Sequence, residues 1–569
     1  MSAREEWGVS QCPLKENYWR RELNRCGFKE EFKIWMLRTI IEGVDVGHKF
    51  EPRNHTPRYR VRTPQEINLL SDQYKVETEL GRVVRVGEKR PSGKCFPKFF
   101  VSPTYIIPKK RVIRQPQKWR LIHNLSAHTW GKPWSINAGI EGSDFPVVYP
   151  SIATAAHEVF CRAERGCVVW GRDLKAYYRH LMVNPAQWWC TGTHLQGIFY
   201  FDCYCPFGAR SMPAIFQRLS DAIRVIMLRN TPVEGLLGML DDFLGIVYRQ
   251  PGESDHALLN RGRMAEKAFD EELNRMGITK QSKKDSPTAW KIVWLGFEID
   301  TKECTLAIPQ EKEESTLLQI QEDLFDDDGG LMPFADTAKL GKLVGIFCHM
   351  SQGWAMGKTL LWPLYKLLSC YREYDSDGKL RYRKAQAKLS SDARESIMEW
   401  YTRINTCGIY KKFYTCLGVN VVTKVGLWCG RMTKICGDGR KSTKGWKTVR
   451  GAKGIRMVST WGEESRTIKT SLREHEGMAL GQQRVALAIS LILKLLENHA
   501  SECGDIIVVH TNMGAFARYI EKDCYPSGLR RRQYIESILI HRWLCKPQAG
   551  SDGENRMMHP RQLKSCFIA

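Results

Sequence analysis

The sequence predicts an α+β protein of several domains, and three observations carry that expectation. Short apolar runs end in acids, as in Val168-Val169-Trp170-Gly171-Arg172-Asp173 and in Leu236 to Leu240 before Asp241-Asp242. That is the pattern of short buried strands with polar ends. Helical stretches stop at glycine, as at Leu273-Asn274-Arg275-Met276-Gly277, where glycine ends a helix cheaply. From about residue 406 onward, strand-like runs alternate with one long helical run, Leu480 to Leu496. A chain of 569 residues has room for three or four domains, and a hydrophobic fraction of 43% supplies their cores.

Charge bounds the partners. A net charge of +24 favours a polyanion, with nucleic acid the default and an acidic membrane surface the alternative. No strongly basic amphipathic helix stands out, and no apolar run reaches about 18 residues, so no membrane span is expected. The 19 cysteines form no Cys-x-x-Cys pair. With no signal peptide opening the sequence, reduced thiols in an intracellular setting, cytoplasm or nucleus, are expected.

Residues 1–65 read as helical, then basic and loop-like, with Trp7, Trp19, Phe28, Phe32 and Trp35 expected to share one small core. Arg58, Arg60 and Arg62 suit an exposed extended segment. Tyr105 to Lys110 and Trp119 to Ser126 are apolar stretches with cations at their ends. Cys203-Tyr204-Cys205 with His194 has poor spacing for zinc and reads as strand. Pro206 to Gln217 reads as a turn entering a helix. In Leu236 to Val247, two apolar strands meet at a hairpin tip carrying Asp241 and Asp242. Adjacent strand residues face opposite ways, so a tight turn is needed to bring both acids towards one point. Two like charges repel unless cations hold them. A solvated Asp-Asp turn is the plain alternative, and the apolar flanks argue against it. With Asp173 as a third acid, the set suits two Mg2+ ions, which prefer oxygen ligands. Such ions activate a primer hydroxyl and stabilise a leaving pyrophosphate. Trp294-Leu295-Gly296-Phe297 is a second apolar hairpin candidate. Asp326-Asp327-Asp328-Gly329-Gly330 reads as an exposed connection, and Leu340 to Phe347 and Leu361 to Tyr365 as helical. Val421-Val422 and Ile506 to His510 read as strands.

Four ordered motifs carry a family resemblance: Asp173-Leu174-Lys175 with Tyr178-Arg179; Pro206-Phe207-Gly208 with Ser211, Pro213, Phe216 and Gln217; Leu240-Asp241-Asp242; and Trp294-Leu295-Gly296-Phe297. In this order the chain resembles retroelement reverse transcriptases of the DIRS-like type, with Leu-Asp-Asp replacing the commoner aromatic-x-Asp-Asp. The resemblance covers about residues 75 to 310 and implies a right-hand polymerase of fingers, palm and thumb, followed by a ribonuclease H-like domain. The expected divisions are an N-terminal extension over 1–65, fingers and palm over 66–310, thumb or connection over 311–405, and a degenerate ribonuclease H-like domain over 406–569.

The resemblance implies an RNA-directed DNA polymerase, taking an RNA or DNA template-primer and deoxynucleoside triphosphates. Two Mg2+ ions, or Mn2+ in their place, would sit on Asp173, Asp241, the Leu174 carbonyl and the supporting Asp242. Arg120 and Lys110 would meet the triphosphate, Arg through paired hydrogen bonds and Lys as a point charge. Tyr178 would lie under the sugar and exclude a 2′-hydroxyl. Gln217 and the Pro206-to-Ser211 turn would face the template and nascent pair, and Lys284 would protonate pyrophosphate. In the C-terminal domain the expected acids match Asp438 and Glu476 (or Glu474), but Asn512 and His559 stand where two more are expected. An amide is a poor Mg2+ ligand, so the ribonuclease H activity is expected to be lost. Two rival readings stay open: an inactive or domesticated nucleic-acid-binding protein, and an RNA-directed RNA polymerase. Oligomeric state is not legible.

Overall fold

The computed structural model describes residues 3–9, 11–56, 62–108, 119–127, 134–162, 165–281, 285–354, 357–374, 380–383 and 385–412, and beyond them the backbone of four strands between residues 422 and 511. It is a mixed helix-and-sheet protein of two compact units. One unit comprises Met1–Ser151 and Val168–Ala289, the other Ile152–Cys167 and Trp290–Ala569.

The first unit is built on a four-stranded sheet in the order Gly235–Met239, Asp242–Tyr248, Cys167–Asp173, Ser286–Ala289. Val168, Val169 and Trp170 are fully buried, the near-continuous apolar pattern of a central strand. Two long helices, Met212–Asn230 and Asp255–Met276, supply the facing core. Phe269 from the second meets Trp170 at 4.8 Å and Phe243 at 5.8 Å. Gly277 ends that helix in the left-handed conformation, as expected. The expected apolar stretches at Tyr105 and Trp119 form an antiparallel pair, Thr104–Pro108 with Trp119–His123. A three-stranded sheet joins Val83–Gly87, Ile198–Asp202 and Gly192–Leu195.

The N-terminal extension lies on this unit. Trp19 donates its indole N–H to the Met276 carbonyl at 3.1 Å, and Lys15 reaches the Asn274 carbonyl at 2.9 Å. The expectation of one shared aromatic core is corrected. Trp7 packs edge-on against Phe96 and Phe201, Trp19 is buried by the Asp255–Met276 helix end, and Phe28, Phe32 and Trp35 form a separate ladder. The rest of this unit offers Trp7 and Trp19 deeper partners than three short helices could. Arg62 donates to the Thr104 carbonyl at 2.9 Å, so it is tied down, not free in solvent. Cys203, Tyr204 and Cys205 are buried just beyond the Ile198–Asp202 strand, with Tyr204 bridging Met182.

In the second unit, Lys291–Trp294, Phe297–Asp300, Thr305–Ala307 and Tyr410–Lys412 form an antiparallel sheet. This unit takes in the Trp294 hairpin, whose Phe297–Asp300 strand reaches Tyr410–Lys412 through Thr305–Ala307. Helices Gln310–Leu324, Thr337–Met350, Gly357–Ser369 and Ser391–Thr406 occupy the segment read as thumb or connection. Phe347 stacks on Trp400 at 4.7 Å in their core. Asp326 to Gly330 is an exposed turn closed by the Asp326 N–H on the Gly330 carbonyl at 2.8 Å. Val422–Thr433, Thr448–Trp461 and Glu464–Ser471 run antiparallel, and Ile506–Thr511 joins Val422–Thr433 in parallel. Among the described residues no helix is long and apolar enough to cross a membrane.

Candidate functional site

Asp173 is the last residue of its strand, and Asp241 sits at the tip of the neighbouring hairpin. The hairpin register pairs Met239 with Asp242, so Leu240 and Asp241 alone form the turn. Leu240 has φ +54°, whereas Asp241 is not among the positive-φ residues. Positive φ at the first central position of a two-residue hairpin turn is normally served by glycine. A leucine there costs about 1–2 kcal/mol. The surrounding structure holds it: the Leu240 N–H donates to Gln217 Oε1 at 3.0 Å, and Ser220 donates to the Leu240 carbonyl at 2.6 Å. Gln217 Nε2 donates to the Gly238 carbonyl at 2.9 Å and to Asp221 at 3.1 Å.

That geometry corrects one expectation. Gln217 is 3% exposed and spends its amide on the hairpin, so it positions the turn and does not face a template. It lies on the inner face of the Met212–Asn230 helix, one turn from Ser220, within reach of the hairpin backbone and of Asp221.

The two acid-bearing strand ends adjoin. The Leu174 N–H donates to the Asp241 carbonyl at 2.8 Å, while Gln281 N–H donates to the Asp173 carbonyl at 2.7 Å on the other edge. Asp173, Asp241 and Asp242 are all half-buried. Among the described residues no three His, Cys, Asp or Glu side chains gather as an ion cage. Donor chemistry nevertheless suits Mg2+, which typically takes one or two carboxylates and completes its shell with substrate phosphates and water. Asp173 and Asp241 fit that pattern. Asp242 begins the next strand, paired with Met239.

After Asp173 the chain turns through Ala176, φ +49°, into a short 3-10 turn over Tyr177–His180. Tyr177 is buried, its hydroxyl bonded to Ser220 at 2.8 Å and the Phe216 carbonyl at 3.2 Å. Burial lifts its phenol well above the usual range, and the Asp241 charge adds to that. Tyr178 is 9% exposed and lies between Phe207 (4.8 Å, stacked) and Phe216 (4.5 Å). Its phenol too is raised, by burial first and then by the Tyr149 and Asp241 charges. Arg120, exposed on the Trp119–His123 strand, places its guanidinium 5.8 Å over the other member of this column, Phe207.

Phe207 belongs to the Pro206-to-Ser211 turn, and the structure stacks it on Tyr178. Its turn is fixed by Asn137, which no local signal marked. Asn137 donates to the Gly208 carbonyl and to Ser126, each at 2.8 Å, and accepts from Arg210 N–H at 2.8 Å. Gly208 has φ +120°, and a Cβ there would lie 2.3 Å from the His123 carbonyl oxygen, so only glycine fits.

Arg179 ties its own short turn to the Ile198–Asp202 strand and the residues after it. It is buried and donates to Asp202 Oδ1 at 2.6 Å, with Glu77 at 3.5 Å. His123 lies 3.5 Å from Asp202, but burial and the Arg179 charge push its imidazole down to about 3. The histidine is therefore neutral near pH 7 and this contact is not an ion pair. Lys110 and Lys284 lie outside the described residues, as do Asp438, Glu476, Asn512, His559 and the helical run Leu480 to Leu496.

No protein-family model and no curated protein sequence matches the chain. Among solved structures it is similar to the foamy viral protease-reverse transcriptase dRH in complex with double-stranded DNA, at 13% identity and TM-score 0.49, covering 92% of this chain and 79% of that one. The foamy viral protease-reverse transcriptase with double-stranded DNA gives 14% identity and TM-score 0.46, covering 93% and 96%. Its complex with an RNA/DNA hybrid gives 12% and 0.39, covering 92% and 82%. Likeness at this level is too distant to assign residues, so their roles rest on the geometry above.

Proposed function

We propose that the chain is a nucleic-acid-templated DNA polymerase of the reverse transcriptase kind, of retrotransposon type. The observation that carries this reading is the bond from Leu174 N–H to the Asp241 carbonyl, which joins two carboxylate-bearing strand ends. Beside them stands the Arg120–Phe207–Tyr178 column. Asp173 and Asp241 would hold Mg2+, with Asp242 in support and Mn2+ as the alternative ion. Bound metal would supply the positive charge that a primer hydroxyl and a triphosphate need to react. Residues 173 and 175 bond toward Thr279 and Gln281, so Leu174 turns its own N–H, and by strand geometry its carbonyl, to the hairpin edge. That agrees with the carbonyl as a further oxygen ligand.

Arg120 would grip phosphate oxygens at the mouth of the site, and Lys110 would add charge. Phe207 and Tyr178 would floor the sugar, with the tyrosine ring limiting space at the 2′ position. Lys284 would donate a proton to pyrophosphate. The surplus of Lys and Arg would hold template and primer through their phosphates. For residues 406–569 we propose a ribonuclease H-like domain without hydrolytic activity. The parallel pairing of Val422–Thr433 with Ile506–Thr511 needs a crossover, and the sequence offers Leu480 to Leu496 for it. Primer extension on an RNA template with labelled dNTPs and Mg2+ tests the polymerase. Failure of Asp241→Asn to abolish extension would reject the site.

A further inference from the structure

Behind the Asp173 strand lies a charge network that the polymerase reading does not use. Arg172, one residue before Asp173, is 3% exposed. It meets Glu266 Oε1 at 2.6 Å, Asp270 Oδ1 at 2.8 Å and Asp285 Oδ2 at 3.7 Å. Lys280 shares two of these acids, Asp270 at 2.5 Å and Asp285 at 3.2 Å. Glu266 also accepts from the Thr288 N–H at 2.9 Å and hydroxyl at 2.7 Å. Two cations thus face three carboxylates, and an arginine and a lysine that would otherwise repel are held by acids common to both.

The backbone beside this network touches the candidate ligands. Lys280 forms an antiparallel bridge with Leu174. Flanking it, Lys175 N–H donates to the Thr279 carbonyl at 2.9 Å and Gln281 N–H to the Asp173 carbonyl at 2.7 Å. The strip Thr279 to Gln281 therefore lies along Asp173 to Lys175. Lys280 is its side-chain anchor to the Asp255–Met276 helix.

Resting on the polymerase reading, we propose that Lys280 is a positioning residue for the metal site. By sharing Asp270 and Asp285 with Arg172, it holds the 279–281 strip against Asp173 and Leu174 and keeps their oxygens aimed at the ion. Metal ligands depend on such outer contacts, whose loss typically costs ten- to a hundredfold in affinity. Lys280 keeps a third of its side chain exposed, so its replacement leaves the buried Arg172 pairs in place.

The test is Mn2+ binding to the full chain by electron paramagnetic resonance, with Mn2+ alone as probe. The parent, Lys280→Met, Lys280→Arg and Asp241→Asn are compared, each with a thermal melt. Asp241→Asn should lose binding at the site. Lys280→Met should weaken it roughly tenfold, and Lys280→Arg should restore most of it. If Asp241→Asn loses Mn2+ while Lys280→Met binds as the parent does, the proposal fails and the metal site stands, whatever the melt shows. If the parent binds no more Mn2+ than Asp241→Asn does, the metal site and the proposal fail together.

Discussion

Two of the tight hairpins among the described residues solve the same turn differently. In the second unit, Trp294 pairs with Phe297 across Leu295 and Gly296, with φ +46° and +78°. Positive φ at both positions is a type I′ turn, and glycine takes the second place as the turn chemistry demands. In the first unit, Met239 pairs with Asp242 across Leu240 and Asp241. No glycine is present, Leu240 alone is left-handed, and Gln217 and Ser220 hold its backbone. Helix side chains reach both hairpins, Lys312 Nζ donating to the Gly296 carbonyl at 3.3 Å in one and Gln217 and Ser220 holding Leu240 in the other. The latter places a carboxylate where the former has glycine. Strain braced by buried side chains is common where a site must be held ready.

The largest expected effect tests that difference directly. Asp241→Asn should lower primer extension about a thousandfold, the scale of several kcal/mol of metal-supplied stabilisation. Template affinity in a filter-binding assay should stay within about twofold, because the change removes no phosphate contact. Extension at the parent rate would reduce the hairpin to a solvated turn.

Gln217→Leu removes the brace and leaves the Leu240 N–H and Gly238 carbonyl without their partner. About 2 kcal/mol of stability should be lost in urea melts. Extension should fall more than template binding does. A variant that is destabilised but fully active would show that the turn needs no support.

Tyr178→Ala should raise ribonucleotide over deoxynucleotide incorporation at least tenfold, about 1.4 kcal/mol, in a competition assay. An unchanged ratio would assign Tyr178 wholly to packing between Phe207 and Phe216.

A pH experiment probes the turn's underside. His180 Nε2 accepts from the Thr279 N–H at 3.1 Å, and burial pulls its imidazole from 6.5 down to about 4. An unfolded chain takes up that proton near 6.5, whereas the folded one resists until about 4. Stability from this group is full above 6.5 and is lost as pH falls towards 4, with a slope of up to about 1.4 kcal/mol per pH unit. Asp202, raised by burial, works in the opposite sense, and His123 in the same sense from 6.5 down to about 3. Denaturant melts of His180→Gln between pH 6.5 and 4 should show a shallower fall than the parent. Parallel curves would mean His180 is already charged.

The smallest effect belongs to the ordinary hairpin. Gly296→Ala should cost about 1 kcal/mol in a melt, the penalty of a side chain at left-handed φ. It should leave Mn2+ binding unchanged. A loss of metal binding there would end the contrast between the two turns.

Much was written in the sequence by itself. Apolar runs closed by acids placed Asp173 at a strand end and Asp241 at a hairpin tip, and the glycine after Met276 ended its helix where expected. These features are local: burial of a run and the dihedral freedom of one residue decide them. What only the tertiary structure decided depends on partners far along the chain. Gln217 turned inward because the hairpin backbone, 21 to 23 residues on, offered it bonds. Asn137 became the clamp of the Gly208 turn across 71 residues. Trp7 and Trp19 pack against distant parts of their unit and not against their own segment. A side chain's type limits which bonds it can make, but which group stands within 3 Å of it is settled only when distant strands and helices pack.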